Sequence, residues 1–137
     1  MYFPDLTPYS YHRPEEEPNT VNIGWLQRDF PFPKGDVSSE FLDRLFAICR
    51  DKWFKMHRGF HGCEFCSTAP DGPPLVKRNN SEARLGYAEI RVRHPNGKVF
   101  GSPSLIYHYV SDHQYCPPQE FIEAVLLGES LGRLAQT

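Results

Sequence analysis

The apolar residues of the chain fall into periods that change from stretch to stretch, and each period names an element. Val21, Ile23 and Trp25 alternate with Asn22 and Gly24, the two-residue period of a short strand with one buried face. Phe41, Leu42, Leu45, Phe46, Ile48 and Cys49 recur at helical spacing, with Glu40, Asp43, Arg44, Ala47 and Arg50 on the other face. Asp36 or Ser38 can cap this helix. Cys49 lies on its apolar face, where a packed structural thiol is expected. Ala88, Ile90 and Val92 alternate with Tyr87, Glu89, Arg91 and Arg93, so a second strand turns one side to the core. His94-Pro95-Asn96-Gly97 supplies a hairpin turn, because Asn-Gly accepts the positive φ angles of the tight turn types, and Lys98-Val99-Phe100 returns as the partner strand.

Towards the C-terminus, Ser102 and Pro103 read as a helix start, the serine as cap and the proline in the first turn. Leu105, Ile106, Tyr109 and Val110 follow at helical spacing. Pro117 and Pro118 stop that helix and start another, whose apolar face is Phe121, Ile122, Val125 and Leu126 and whose stop is Gly128. Residues 30–35, Phe-Pro-Phe-Pro-Lys-Gly, form a rigid loop, and residues 67–82 a polar one. The fold class that follows is α+β: a small antiparallel sheet, one amphipathic helix and a C-terminal helix pair. One domain is expected over residues 1–137. Residues 1–20 read as an extended arm laid on its surface, because Tyr2, Phe3, Leu6, Tyr9 and Tyr11 are too apolar for a solvated tail. Residues 129–137 read as a frayed tail.

Composition narrows the class. A chain of 137 residues can bury a real core, and its modest hydrophobic share of 39% is offset by 14% aromatics. Thirteen prolines and ten glycines predict long ordered loops between short elements. A net charge of −2 gives no bulk attraction to polyanions. No apolar run approaches the ~18 residues needed to cross a bilayer. The opening Met1-Tyr2-Phe3-Pro4-Asp5 has neither the basic nor the apolar segment of a secretory leader. The expectation is a soluble, cytoplasmic protein with its four cysteines reduced rather than a disulfide scaffold.

Reduced cysteines change how one stretch reads. Gly59-Phe60-His61-Gly62-Cys63-Glu64-Phe65-Cys66 holds a Cys-x-x-Cys pair beside a histidine, and His108 and His113 follow in the C-terminal half. Cys-x₂-Cys with His-x₄-His is the ligand grammar of a tetrahedral zinc site. Cys63, Cys66, His108 and His113 are therefore the candidate ligands for Zn²⁺, with His61 as the alternative, and the metal would staple the loop after the first helix to the C-terminal pair. Helical geometry complicates the histidines. At 100° per residue, positions 108 and 113 point about 140° apart on a continuous helix. Either the helix tightens or ends before His113, or only one of the two binds. A redox dithiol is the competing reading of Cys63 and Cys66, but the Ser-Thr-Ala-Pro-Asp-Gly-Pro-Pro that follows cannot form the helix such a site uses to acidify its thiol.

Four protein ligands would close the metal shell, and three would leave room for a water. In the open case Glu64, Asp112 or Glu89 could serve as base of a zinc-dependent hydrolase. A nucleophilic pair of Cys116 with a histidine is formally available as well. No His-Glu-x-x-His, phosphate loop or Gly-x-Ser-x-Gly elbow accompanies these groups. The segment Arg50-Asp51-Lys52-Trp53-Phe54-Lys55-Met56-His57-Arg58 interleaves cations with aromatics, so Lys52, Lys55 and Arg58 are candidate phosphate contacts. The opposing reading is a solvated helix end whose cations complement the dipole.

Several stretches also fit together as one pattern: Asn22-x-Gly-Trp-Leu, Arg58-Gly-Phe-His-x-Cys-x-x-Cys, and Pro103-Ser-Leu-Ile-Tyr-His-Tyr-Val with His113-x-Tyr115 and Pro-Pro-x-Glu-Phe-Ile-Glu-Ala-Val. With these the chain resembles a family of short bacterial proteins of unknown function. The resemblance spans most of the chain and implies a bacterial source and a single site shared by those motifs. It implies no activity, and Cys116 departs from its pattern. The reading as a whole is a small zinc-stabilised binding protein rather than an enzyme. A protein partner is favoured over nucleic acid, and no membrane is involved.

Overall fold

Ser38 opens the first helix: its side-chain oxygen accepts the Phe41 N–H at 3.1 Å and satisfies one of the donors a helix start leaves unpaired. A computed structural model describes the chain over residues 2–9, 19–56, 62–66 and 75–132. In chain order the elements are β1 (Thr20–Asn22), α1 (Ser39–Asp51), β2 (Lys55–Met56), β3 (Leu75–Arg78), β4 (Ser81–Arg84), β5 (Ala88–Arg93), β6 (Val99–Pro103), α2 (Ile106–His113), α3 (Gln119–Leu127) and β7 (Glu129–Ser130). Helices and strands are both present, as an α+β protein requires.

The main sheet runs β1-β6-β5-β2, with β7 also on β5. The hairpin of β5 and β6 is antiparallel and in register from Glu89 opposite Pro103 to Arg93 opposite Val99. Its turn places Gly97 at φ +97°. The expectation of a purely antiparallel sheet is corrected at β1, which pairs parallel with β6, Val21 opposite Phe100. A parallel pairing depends on a long connection, and here α1 and four strands lie between the partners. The far edge of β5 is shared. Its start pairs with β2, Lys55 opposite Glu89, and its end with β7, Arg93 opposite Glu129. The first residues of the expected frayed tail are therefore a strand, and residues 133–137 lie outside the described residues. Gly128 makes that return feasible, since an added Cβ would lie 1.9 Å from the Arg93 carbonyl oxygen.

α1 packs against both α2 and α3, and α3 packs against β5 of this sheet. α1 turns Phe41, Leu45, Phe46 and Cys49 inward. Phe121 of α3 meets Phe41 and Phe100 edge to face, at 6.2 Å and 5.8 Å between ring centroids. Phe46 meets Tyr107 of α2 at 5.2 Å. Fully burying each such side chain contributes roughly 1.5–3 kcal/mol, so this cluster holds the helices without help from a metal. Burial pushes the Cys49 thiol up to about 12, in keeping with a packed structural cysteine. The polar loop expected before β5 is in part a hairpin. β3 and β4 pair antiparallel across Asn79 and Asn80, both at positive φ, and Arg78 ties them to α1 through Asp43 at 2.6 Å. The helix start expected at Ser102 and Pro103 is still strand. β6 runs through both, and α2 begins at Ile106 with no side-chain cap.

The second face of β5 is covered as well, which a two-residue alternation with one dry side does not anticipate. Residues 2–9 run beside β1, with bridges from Phe3 to Trp25 and from Pro8 to Val21. Asn22 is buried beneath them and donates to Thr7 Oγ1 and the Pro8 carbonyl, both at 3.1 Å. Under this arm Glu89 and Arg91 form an ion pair at 3.0 Å, each side chain 1% exposed or less. Tyr9 donates its hydroxyl to Glu89 at 2.8 Å. The guanidinium of Arg91 lies 4.3 Å from the Tyr9 ring centre and 4.9 Å from that of Phe54. Two charges withdrawn from water are tolerable only as a pair. Removing one should cost far more than a surface ion pair does. Glu89→Gln is expected to lower unfolding free energy by roughly 3–5 kcal/mol in urea titrations. A loss below about 1 kcal/mol would show that the pair is not held dry.

Candidate metal centre

The described part of the Cys-x-x-Cys loop, residues 62–66, has one large apolar side chain, Phe65, so its place is fixed by a few contacts. Arg28, in the connection between β1 and α1, clamps it: Nε and Nη2 donate to the Glu64 carbonyl at 3.1 and 3.0 Å, and the Arg28 N–H donates to Glu64 Oε1 at 3.1 Å. Phe65, between the two cysteines, packs against Phe32 at 5.2 Å, Tyr109 at 5.8 Å and His113 at 5.6 Å. The Phe65 N–H donates to Cys63 Sγ at 3.3 Å, turning that sulfur into the loop.

The histidines come from α2, and the helix is continuous through both. It neither tightens nor stops before His113, which is its last residue. Gln114 then takes a left-handed conformation, φ +60° and ψ +23°, and its N–H closes on the Tyr109 carbonyl. The expected stop at Pro117 and Pro118 is thus reached earlier, by a backbone reversal, and Pro118 serves instead as the N-cap position of α3. The 140° separation does not keep the rings apart: their centroids are 5.0 Å from one another. An imidazole extends several ångströms beyond its backbone, and the final residue of a helix has no following turn to block a sideways lean.

Cys63, Cys66, His108 and His113 are the group of potential metal-binding side chains found among the described residues, and one ligand atom from each lies within 4.8 Å of all the others. Cys63 Sγ is 3.3 Å from His113 Nε2. Cys66 Sγ is 3.2 Å from His108 Nε2 and 3.6 Å from His113 Nε2. The four are therefore close enough to hold a metal ion. His108 Nδ1, on the far side of its ring, faces Asp112 Oδ2 at 3.4 Å. The approach is too long and too poorly aligned to count as a hydrogen bond, and that nitrogen is otherwise buried without a partner. A carboxylate there is what orients a histidine whose Nε2 binds metal.

Burial, reinforced by the neighbouring Cys66, pushes the Cys63 thiol up to about 11. Burial also lowers the pKa of His108, helped by His113 and opposed by Asp112. Without metal, then, Cys63 sits near neutral pH as a protonated thiol and His108 as a neutral imidazole, and a metal would have to displace the Cys63 proton.

The remaining candidates are distributed elsewhere. His61 and Arg58 lie outside the described residues. Glu64 is engaged by Arg28, and Glu89 is the buried partner of Arg91. Cys116 stands apart from the cluster, its Sγ 3.8 Å from the Pro117 carbonyl oxygen. Lys52 is exposed after α1, while Lys55 lies 5.4 Å over the Tyr9 ring. The aromatics between them serve the fold: Trp53 donates to the Cys49 carbonyl at 2.6 Å, and Phe54 flanks Arg91. Arg28, Phe32 and Phe65 hold the site, yet a lone arginine and two phenylalanines carry no sequence signal that would have singled them out.

Beside His113 opens a groove of about 780 Å³ whose lining includes Arg28, Phe32, Lys34, Phe65, Asp112 and Gln114. No helix among the described residues is long and apolar enough to cross a membrane.

A mixed α+β domain with a convergent Cys₂His₂ cluster defines the class. Residues 1–126 match a domain of unknown function, DUF7919, and the chain belongs to that family. No curated protein and no solved structure matches the chain.

The pKa directions give a test of the metal-free cluster. A histidine with a folded pKa below its unfolded value of 6.5 adds stability above that pH, and the contribution is lost as pH falls through the folded value. A thiol raised from 9.0 to about 11 adds stability below pH 9 that is lost as pH rises towards 11. With chelator and reductant present, the melting temperature should fall on both sides of a plateau between about pH 6.5 and 9. His108→Gln should flatten the acid side; an unchanged acid slope in that variant would contradict the assignment.

Proposed function

We propose that Cys63, Cys66, His108 and His113 hold one zinc ion in a closed tetrahedral shell, and that the protein is a zinc-stabilised binding protein acting on a protein partner. The observation that carries the metal reading is the set of sulfur–nitrogen separations. A zinc with Zn–S of about 2.3 Å and Zn–N of about 2.05 Å has tetrahedron edges of about 3.6 Å between sulfur and nitrogen. The separations of 3.2, 3.3 and 3.6 Å lie at or just inside that edge. Two thiolates and two imidazoles suit zinc by softness, and two thiolates balance its charge.

A closed shell leaves no position for an activated water, which supports binding over hydrolysis. The candidate bases weaken the hydrolase reading further, because Glu64 and Glu89 already have partners. Asp112 stands behind His108, where it can orient a ligand rather than deprotonate a water. The metal would link the loop after α1 to α2, and so hold the wall of the groove that a partner could use.

Purified without a histidine tag and under reducing conditions, the protein should contain one zinc per chain by elemental analysis. Chelation should lower the melting temperature by several degrees, corresponding to a few kcal/mol. Cys63→Ser should show the lowered value before any chelator is added, whereas Cys116→Ser should stay within about 1 kcal/mol of wild type. A melting temperature indifferent to chelation would contradict a structural metal. Binding of a generic oligonucleotide should be absent; micromolar, salt-dependent binding lost on replacing Lys52, Lys55 and Arg58 would contradict the choice of partner.

A further inference from the structure

We propose that Cys63 and Cys66 are a reversible oxidation site, and that a hydroperoxide converts them to a disulfide and expels the metal. The inference rests on the zinc reading for the released ion, but the disulfide itself depends only on the two thiols.

The chain's other cysteines frame the choice. Cys49 is fully buried in the core, and Cys116 stands outside the cluster. Cys63 and Cys66 are each half-buried, on a loop rather than inside an element. Their sulfurs lie within 4.8 Å of each other. A bond of about 2.05 Å requires them to close by only a few ångströms. The groove beside Phe65 and His113 gives small solutes a way to that neighbourhood. As zinc ligands the sulfurs would be thiolates, the form that attacks peroxide.

The chemistry balances. One thiolate attacks a peroxide oxygen, the O–O bond breaks, and a sulfenic acid forms as hydroxide leaves. The second thiolate attacks that sulfur, the S–S bond forms, and a second hydroxide leaves. Two protons convert both hydroxides to water. Two sulfurs lose one electron each, and the peroxide gains two. With both thiolates consumed, two neutral imidazoles remain on the ion, too few to hold it.

The structural consequence falls on the groove. Phe65 lies between the two cysteines and packs on His113, so drawing the sulfurs together shifts a side chain that lines it. Arg28 anchors the Glu64 carbonyl between the two cysteines, a contact that closing the sulfurs does not require breaking. Oxidation would thus alter the proposed partner surface without unfolding the protein, because Phe41, Phe46, Phe100, Tyr107 and Phe121 hold the helices independently of the loop.

Reduced, zinc-loaded Cys116→Ser protein, full length, is titrated with hydrogen peroxide. Zinc is followed with a chromogenic chelator and disulfides by peptide mapping. One zinc is expected to leave per Cys63–Cys66 disulfide formed, and reductant with added zinc should restore the starting state. Zinc release accompanied only by sulfinic or sulfonic acids, or by disulfides between chains, would overturn the proposal. So would zinc retained at tenfold molar excess of peroxide. Protein that takes up no zinc before titration would contradict the proposed function alone. Peptide mapping of that protein after peroxide treatment at alkaline pH, where the free thiols ionise, then still decides the oxidation site, since the disulfide must form there too.

Discussion

Four side chains from two distant stretches of chain converge within 4.8 Å, and none of them could reach that position by local structure alone. Among the described residues of the loop that carries Cys63 and Cys66, Phe65 is the one large apolar side chain that packs against the core. The helix that carries His108 and His113 has a buried face of its own. The core fixes the helix, and the helix then offers two nitrogens to a loop that needs an anchor. Arg28 and Phe65 bring the loop to within reach. Two sulfurs and two nitrogens then lie close enough together to bind a metal ion.

The rest of the fold holds α2, and with it the two histidines, in place. Ile90 and Val92 turn one face of β5 into the core, and on the other Tyr9 and Phe54 cover Glu89 and Arg91, so the central strand is dry on both sides. That double burial explains why charged residues sit at alternate positions of a strand that touches no solvent until Arg93. The arm also reaches the end of α2. Asp5 accepts the Tyr115 hydroxyl at 2.7 Å and the Gly24 N–H at 3.0 Å, with its pKa raised by burial despite both bonds. Tyr115 follows the left-handed Gln114 and bridges to Lys34, so the backbone reversal that leaves His113 at a helix end is itself pinned. Gly24 is needed beside it: at φ +77°, with a Cβ that would come 2.7 Å from Ile106, no other residue fits without strain.

Much of this was legible in the sequence, for physical reasons that differ by element. α1 and the hairpin of β5 and β6 announce themselves because capping, periodicity and turn chemistry agree. The cluster residues were legible because few side chains suit a soft metal and their spacing is restrictive. The parallel pairing of β1 was not, since nothing local distinguishes it from antiparallel pairing. Nor was the second dry face of β5: Glu89 and Arg91 read as solvent-facing until the arm is seen above them. The convergence of His108 and His113 was hidden by the same helical arithmetic that identifies helices. It depends on a glutamine in a conformation usually left to glycine or asparagine, which no pattern of residues at 114 foretells.

The central claim is that an ion, not a set of thiol–imidazole hydrogen bonds, joins the loop to α2. X-ray absorption at the zinc edge of the purified, reduced protein tests it directly, because it reads the metal's own neighbours. The account predicts two sulfurs at about 2.3 Å and two imidazole nitrogens at about 2.0–2.1 Å, with both nitrogen contributions lost in the His108→Ala, His113→Ala double variant. A shell of oxygens and nitrogens without sulfur, or one unchanged by that double substitution, would place any bound zinc elsewhere and contradict it.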